Sequence, residues 1–298
     1  MKKTRHWISL IAVVVIAFLL IQRSSPPQVP ELLKLDPPTP GRAGSLQVPI
    51  VHYERGGLLS GRDRVDFVGA IHLGEPAYYK ALNERFAKYD SVLFELVADP
   101  ELLGDRTVQR EESMLGVIQK ALAGILGLVF QLEGINYSAG NFVHADLSPQ
   151  QLMNAMSARG ESVGSLLLRI FKLSFDPKIK EEMERSGFKE PELEGINPIM
   201  IALRGPTEAE RAKIKLFFAQ GLVSSEVFMK ALQGDKGIAL IDDRNAAVIA
   251  ATKDELSQGK RLLAIFYGVG HLPDLHKRLT EELGFSITEV EWVEAWNL

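Results

Sequence analysis

The sequence predicts an α/β protein. The expected core is a central mixed sheet from a duplicated strand–Gly-x-x-His–helix–strand unit, with a helical insertion or cap, preceded by an N-terminal transmembrane anchor. Three observations predict this. Two elements, Gly69-Ala70-Ile71-His72 and Gly268-Val269-Gly270-His271, each follow an apolar strand-like run and precede a helical pattern. Between them, residues 107–233 are patterned mostly at helical spacing. The chain begins with three cations and an apolar run.

Lys2, Lys3 and Arg5 precede the run Trp7 to Ile21, the pattern of a signal peptide or signal anchor. As a helix this run spans about 22 Å, short of a bilayer core of about 30 Å. Flanking Lys and Arg side chains close such a gap by snorkelling. No small-x-small cleavage site follows, and Pro26-Pro27 sits where a cut would fall, so residues 1–23 read as an uncleaved single-pass anchor. The cationic flank stays cytoplasmic, which places the body on the periplasmic or extracellular face. Pro26, Pro27, Pro30, Pro37, Pro38 and Pro40 make residues 24–45 an extended linker, and the body is 46–298.

In the body, Val48 to Tyr53 and Val65 to Ile71 read as strands. Glu75-Pro76 opens a helix running to about Lys88, with Pro in its first turn, and Ser91 to Val97 is a strand that carries Glu95. In the helical middle, one extended piece stands out, Asn141 to Asp146. Ser148 with Gln151, and Thr207 with Glu210, are capping boxes. The apolar runs Leu115 to Leu132 and Leu166 to Phe175 read as buried cap helices, or as a surface for a membrane or a hydrophobic peptide. Arg244 to Leu256 is a helix, Arg261 to Tyr267 a strand, Pro273 to Leu283 a helix, and Ile287 to Val293 a final alternating strand. Strand–helix–strand units imply parallel pairing.

Composition narrows the function. Hydrophobic residues make up 46% and charged residues 24%, enough apolar material for a sizeable core. A net charge of −4 without a Lys/Arg block argues against nucleic-acid binding. The chain has 0 cysteines, which excludes disulfides, thiolate metal sites, a cysteine nucleophile and a lipid-modified cysteine. It carries no P-loop, dinucleotide fingerprint or His-Glu-x-x-His.

Ligand sites in open α/β sheets lie beyond the carboxyl ends of strands, where both His72 and His271 fall. If the two strands are neighbours, the imidazoles can converge. The glycines suit a sharp strand-to-helix turn and close approach of another group. Two imidazoles and a carboxylate form a common metal-binding set. Glu95 is the best carboxylate, because it interrupts an apolar strand where a lone charge is costly to bury. Arg244 either binds a carboxylate or oxyanion, or lies solvated behind an Asp242 or Asp243 cap, and spacing alone favours the cap. Asn245 is placed to orient a ligand or water. His144 and Asp146, two apart on an extended piece, either share a site or are split by a turn. His52, His276 and His6 read as incidental, with His276 solvated beside Lys277 and Arg278.

These residues, in this order, resemble the TraB/GumN/Tiki family, over about Val65 to Trp296. The likeness rests on Gly69-x-x-His72, on Phe94-Glu95-Leu96, on Asp242-Asp243-Arg244-Asn245, and on Gly268-x-x-His271-Leu272. The family shares a core with erythromycin-esterase-like and ChaN-like proteins, and its Tiki members are membrane-bound, divalent-metal-dependent peptidases. The resemblance therefore implies His72, Glu95, Arg244 and His271 as site residues, with Asn245 in support and His144-Ala145-Asp146 as a central strand-end motif. Pro273-Asp274 departs from the glycine many relatives carry after the leucine.

The expectation is a membrane-anchored, metal-dependent hydrolase of peptide or protein substrates. His72, His271 and Glu95 would hold Mn, Co or Zn. Glu95, Arg244, Asn245, Asp146 and His144 would serve the chemistry. The alternative is a non-catalytic envelope protein that binds haem, a hydrophobic peptide or a partner.

Overall fold

The computed structural model describes residues 29–57, 61–99, 122–185, 196–234 and 237–298. The expected anchor, residues 1–23, and the start of the apolar run 115–132 lie outside the described residues. Among the described residues, no helix is long and apolar enough to cross a membrane.

The sheet is assembled from strands that bury both faces. β2 (Ser45–Gly57) sends Leu46, Val48 and Ile50 to one side and Val51 and Tyr53 to the other. β3 (Gly61–Ala70) likewise divides Val68 and Ala70 from Val65 and Phe67. β5 (Ser91–Phe94) and β8 (Leu262–Gly268) repeat the division, with Phe94 and Phe266 on the first face and Leu93 and Ile265 on the second. Side chains alternate across a strand, so a doubly apolar strand needs cover on both faces. On the first face, α1 (Pro76–Phe86) supplies Tyr78, Tyr79, Leu82 and Phe86. On the second, α8 (Ala239–Ser257) supplies Val248, Ile249 and Leu256, and α9 (Leu272–Lys277) supplies Leu272 and Leu275.

The sheet is mixed. β3 and β8 are parallel neighbours, with Ala70 opposite Gly268. β5 lies parallel to β8 on its other edge, and β7 (Phe142–His144) lies parallel to β5. β2 runs antiparallel to β3. So the two Gly-x-x-His elements do leave adjacent strand ends, and the strands bearing Glu95 and His144 end at the same edge.

Three features depart from the sequence reading. The expected linker contains a strand, β1 (Lys34–Asp36), which pairs with the start of β2 and is pinned by the buried Leu32. The extended piece Asn141 to Asp146 forms β7 as expected, but the helical middle also gives an unexpected small ribbon, in which β6 (Val129–Phe130) pairs with β4 (Leu73–Gly74). The last strand, β9 (Ser286–Asn297), is antiparallel to β2, not the parallel partner that a strand–helix–strand unit implies. Both edges of β8 are already taken, by β3 and β5, so the chain continues to the open edge of β2.

The helices of the middle begin where their caps predict. α2 (Gln131–Gly134) follows β6. α3 (Pro149–Ala158) opens on the Ser148–Gln151 capping box, and α7 (Glu208–Gln233) on the Thr207–Glu210 box. α4 (Val163–Ser174) packs half-buried Leu166, Ile170 and Leu173 against Leu232, Ile238 and Ile241. Its opposite ridge, Val163, Leu167, Phe171 and Phe175, is exposed, so the reading of a buried cap helix holds for one face only. α5 (Pro177–Arg185) and α6 (Pro198–Arg204) lie between α4 and α7, and residues 122–126 are helical as well.

Candidate functional site

Glu95 extends β5 by one residue, and its N–H donates to Phe266 O at 3.1 Å. Its side chain then meets the end of β8, where Oε2 accepts from the Gly268 N–H at 2.5 Å. A Cβ on residue 268 would stand 3.2 Å from that oxygen, so a glycine here admits the carboxylate. At Gly69 a Cβ would stand 2.8 Å from Val269 Cγ1. Neither glycine has positive φ. Close approach, and not left-handed turning, is therefore why the first glycine of each element is needed.

Arg244 comes from the second turn of α8. The helix starts at Ala239, earlier than the sequence suggests, so Asp242 and Asp243 lie inside it and pair with Arg159 instead of capping. Arg244 is buried, contrary to the solvated reading. Its Nε donates to Asp146 Oδ1 at 2.9 Å, and its Nη2 donates to Asp146 Oδ2 at 2.6 Å and to Glu95 Oε1 at 2.8 Å. The Asp146 side chain is 0% exposed. Arg244 Nη1 makes no hydrogen bond among the described residues.

His271 ends a 3-10 turn, Val269–His271, and is 4% exposed. Its Nδ1 lies 2.7 Å from Asn245 Oδ1. Asn245 Nδ2 donates to Asp274 Oδ2 at 2.9 Å. A carboxylate only accepts, so the amide orientation is fixed, and Nδ1 of His271 must carry the proton. That turns Nε2 toward Glu95 Oε1, 3.5 Å away. The Tyr267 ring stands edge-on to the imidazole at 5.2 Å, and its hydroxyl donates to Ala145 O at 2.6 Å.

Burial by itself would raise the Glu95 carboxyl. His271, Arg244 and the Gly268 N–H outweigh it and hold the group well below the usual carboxylate range. Burial would lower the Arg244 guanidinium, but Asp146 and Glu95 raise it. Burial raises the Tyr267 phenol, which stays neutral. With His271 neutral, one guanidinium against two carboxylates leaves one excess negative charge in a largely buried cluster; a proton on His271 would cancel it.

Glu95, Asp146, Arg244, Asn245 and His271 are thus brought together. His144 is not part of that network. Its Nε2 lies 2.6 Å from Leu96 O and its ring packs on Phe94, so it steadies the chain on either side of Glu95. His72 sits at the adjacent strand end, exposed, with its ring 6.5 Å from Phe130 and its carbonyl bound by the Gln131 N–H. No hydrogen bond or ion pair among the described residues joins it to Glu95 or His271. Among the described residues, no group of three His, Asp or Glu side chains is placed to hold a metal ion.

Two histidines read as incidental are buried. His276, expected in solvent, is 3% exposed with its Nδ1 3.0 Å from Tyr53 Oη. The reason is that Lys277 and Arg278 occupy the outer side of the turn. His52 is buried against Asp66 at 2.8 Å. Asp274, Gln131 and Tyr137 were missed as neighbours of the site. Only Asp274, three residues after His271, had a signal in its spacing.

No protein-family model matches the chain, and neither does any curated protein or solved structure. The reading of function therefore stands on the geometry and on the motifs.

Proposed function

We propose that the chain is a hydrolase of peptide or protein substrates, anchored to a membrane by residues 1–23 with its body outside the cytoplasm, and that a divalent ion, Mn, Co or Zn, completes its site. The single observation that carries this is the facing of Glu95 Oε1 and His271 Nε2 at 3.5 Å. Two acceptors at that spacing call for a positive charge between them, either a proton on His271 or a cation. Two ligands of a tetrahedral ion with bonds of about 2.1 Å would stand about 3.4 Å apart. The excess negative charge of the cluster supports the same reading. Glu95 and His271 would hold the ion, and His72, from the neighbouring strand end, would be the third donor. When bound, the ion would supply Lewis acidity and lower the pKa of a water.

The chain's own groups have separable tasks. Arg244 and the Gly268 N–H keep Glu95 ionised and oriented, fit to accept a proton as general base. Asn245, itself fixed by Asp274, sets the His271 tautomer with Nε2 toward the site. The unengaged Nη1 edge of Arg244 is the donor left for a substrate carboxylate or a developing oxyanion. The resemblance of the motifs to membrane-bound metallopeptidases supports this assignment.

The test uses the full chain in detergent. Elemental analysis should find a divalent metal, and a peptide library should be cleaved in a chelator-sensitive way. His271→Ala and His72→Ala should each lose metal. Unchanged metal stoichiometry in both variants, or cleavage indifferent to chelator and to His72→Ala, would overturn the reading.

A further inference from the structure

We propose that Gln131 and Tyr137 form a subsite beside Glu95 that binds one backbone amide of the substrate. Tyr137 would donate to its carbonyl oxygen, and Gln131 would accept from its N–H. The inference rests on the proposed cleavage of peptides, and it names the chemical group that the site holds.

Both residues are tied to the site's own strand ends. Gln131 opens α2, and its N–H donates to His72 O at 2.8 Å. The Tyr137 ring packs on Phe94, the residue before Glu95, at 5.1 Å, and on Phe142 of β7 at 5.7 Å. The charge of Glu95 acts on the Tyr137 phenol. Burial and that charge raise the phenol's pKa against the opposing Gln131 bond, so the group remains a neutral O–H.

Their hydrogen bonding is incomplete in a specific way. Gln131 Nε2 donates to Tyr137 Oη at 2.9 Å. The phenol proton must then point elsewhere, and it has no acceptor among the described residues. Gln131 is 5% exposed, and its Oε1 is buried without a partner. Turning the carboxamide over moves the vacancy without removing it: Oε1 would take the phenol proton and Nε2 would be left unpaired. Buried carboxamide atoms are nearly always satisfied, so an unpaired one asks for a partner, which a water fills in the free protein and a substrate group can replace.

The chemistry selects the ligand. One acceptor and one donor, side by side, match a peptide group, which offers an N–H and a C=O. An anion would meet the Gln131 oxygen and the Glu95 charge, so phosphate and carboxylate groups are disfavoured. An ester offers the carbonyl without the N–H and would satisfy only Tyr137.

The test again uses the full chain in detergent, with an N-acetylated, C-amidated peptide library. A matched library replaces one backbone N–H at a time with an ester oxygen. Wild type should disfavour ester at one position by about tenfold in KM. Gln131→Met, which keeps volume and removes the amide, should abolish that preference. Tyr137→Phe, which keeps the ring contacts, should raise KM about tenfold with kcat nearly unchanged. A preference that survives Gln131→Met, together with an unchanged KM in Tyr137→Phe, would overturn the subsite and leave the hydrolase intact. A wild type that neither cleaves nor binds either library would overturn the hydrolase, and the subsite with it.

Discussion

Arg244 grips both oxygens of Asp146, at 2.9 and 2.6 Å, and the Nη2 used in that grip also reaches Glu95 Oε1 at 2.8 Å. Asp146, past the end of β7, therefore sets the position of the cation that serves Glu95, past the end of β5. Breaking a buried pair by removing one partner leaves the other charge uncompensated. Arg244→Ala strands two buried carboxylates at once and should cost roughly 3–5 kcal/mol. Asp146→Asn keeps the volume and leaves Arg244 with Glu95, so it should cost less. Urea unfolding of both variants decides it. A loss under about 1 kcal/mol for Arg244→Ala would mean that the cluster is solvated, not buried.

The depressed Glu95 carboxyl carries a pH dependence whose sign is fixed. A group held below its unfolded value stabilises the fold above that value, here 4.5, and the contribution is lost as pH falls from there toward the folded value. Glu95→Gln removes the charge. The stability gap between wild type and Glu95→Gln should be widest at neutral pH and shrink below pH ~4.5. Denaturation midpoints at pH 7, 4.5 and 3 measure it. A gap that stays constant across that range would show that Glu95 is not held ionised by its neighbours.

Much of this arrangement was legible in the sequence because it is local. The apolar run Val65 to Ile71 and the two capping boxes each read out within a few residues and form as expected, and the two Gly-x-x-His strings leave adjacent parallel strands. What failed depends on long-range pairing. Nothing local in Ser286 to Asn297 distinguishes a strand bound for β2 from one bound for β8. Nothing local in Lys34 to Asp36 announces a partner at Ser45 to Gln47. At the site, Glu95 was visible because it interrupts an apolar strand. Arg244 looked solvated on spacing alone, because the buried Asp146 that claims it is 98 residues away.

Asn245 acts on His271 through one hydrogen bond, so its loss should change the imidazole before it changes the fold. With Asn245→Ala, nothing holds the Nδ1 proton, and the ring can place its proton on Nε2 or turn. The 15N chemical shifts of His271 should move from a single Nδ1–H form to a mixture. Supporting partners of this kind typically matter by about 10–100-fold in metal affinity or activity. An unchanged tautomer and full activity in Asn245→Ala would remove Asn245 from the machinery.

The two glycines of the second element should respond oppositely to alanine. Gly268 has φ −52 and ψ 139, a conformation open to any residue, so alanine brings no backbone strain there. Its cost is the contact: a Cβ 3.2 Å from Glu95 Oε2 must push the carboxylate away from the N–H that binds it at 2.5 Å. Gly268→Ala should lose about 1–2 kcal/mol and reduce activity, because the displaced oxygen belongs to the reacting group. At Gly270 the nearest atom to a Cβ is Met229 Cε at 3.8 Å, an ordinary contact. Gly270→Ala should therefore be near neutral in both measurements. If instead Gly270→Ala is the damaging change and Gly268→Ala is silent, the approach of Glu95 to the end of β8 is not what the first glycine serves.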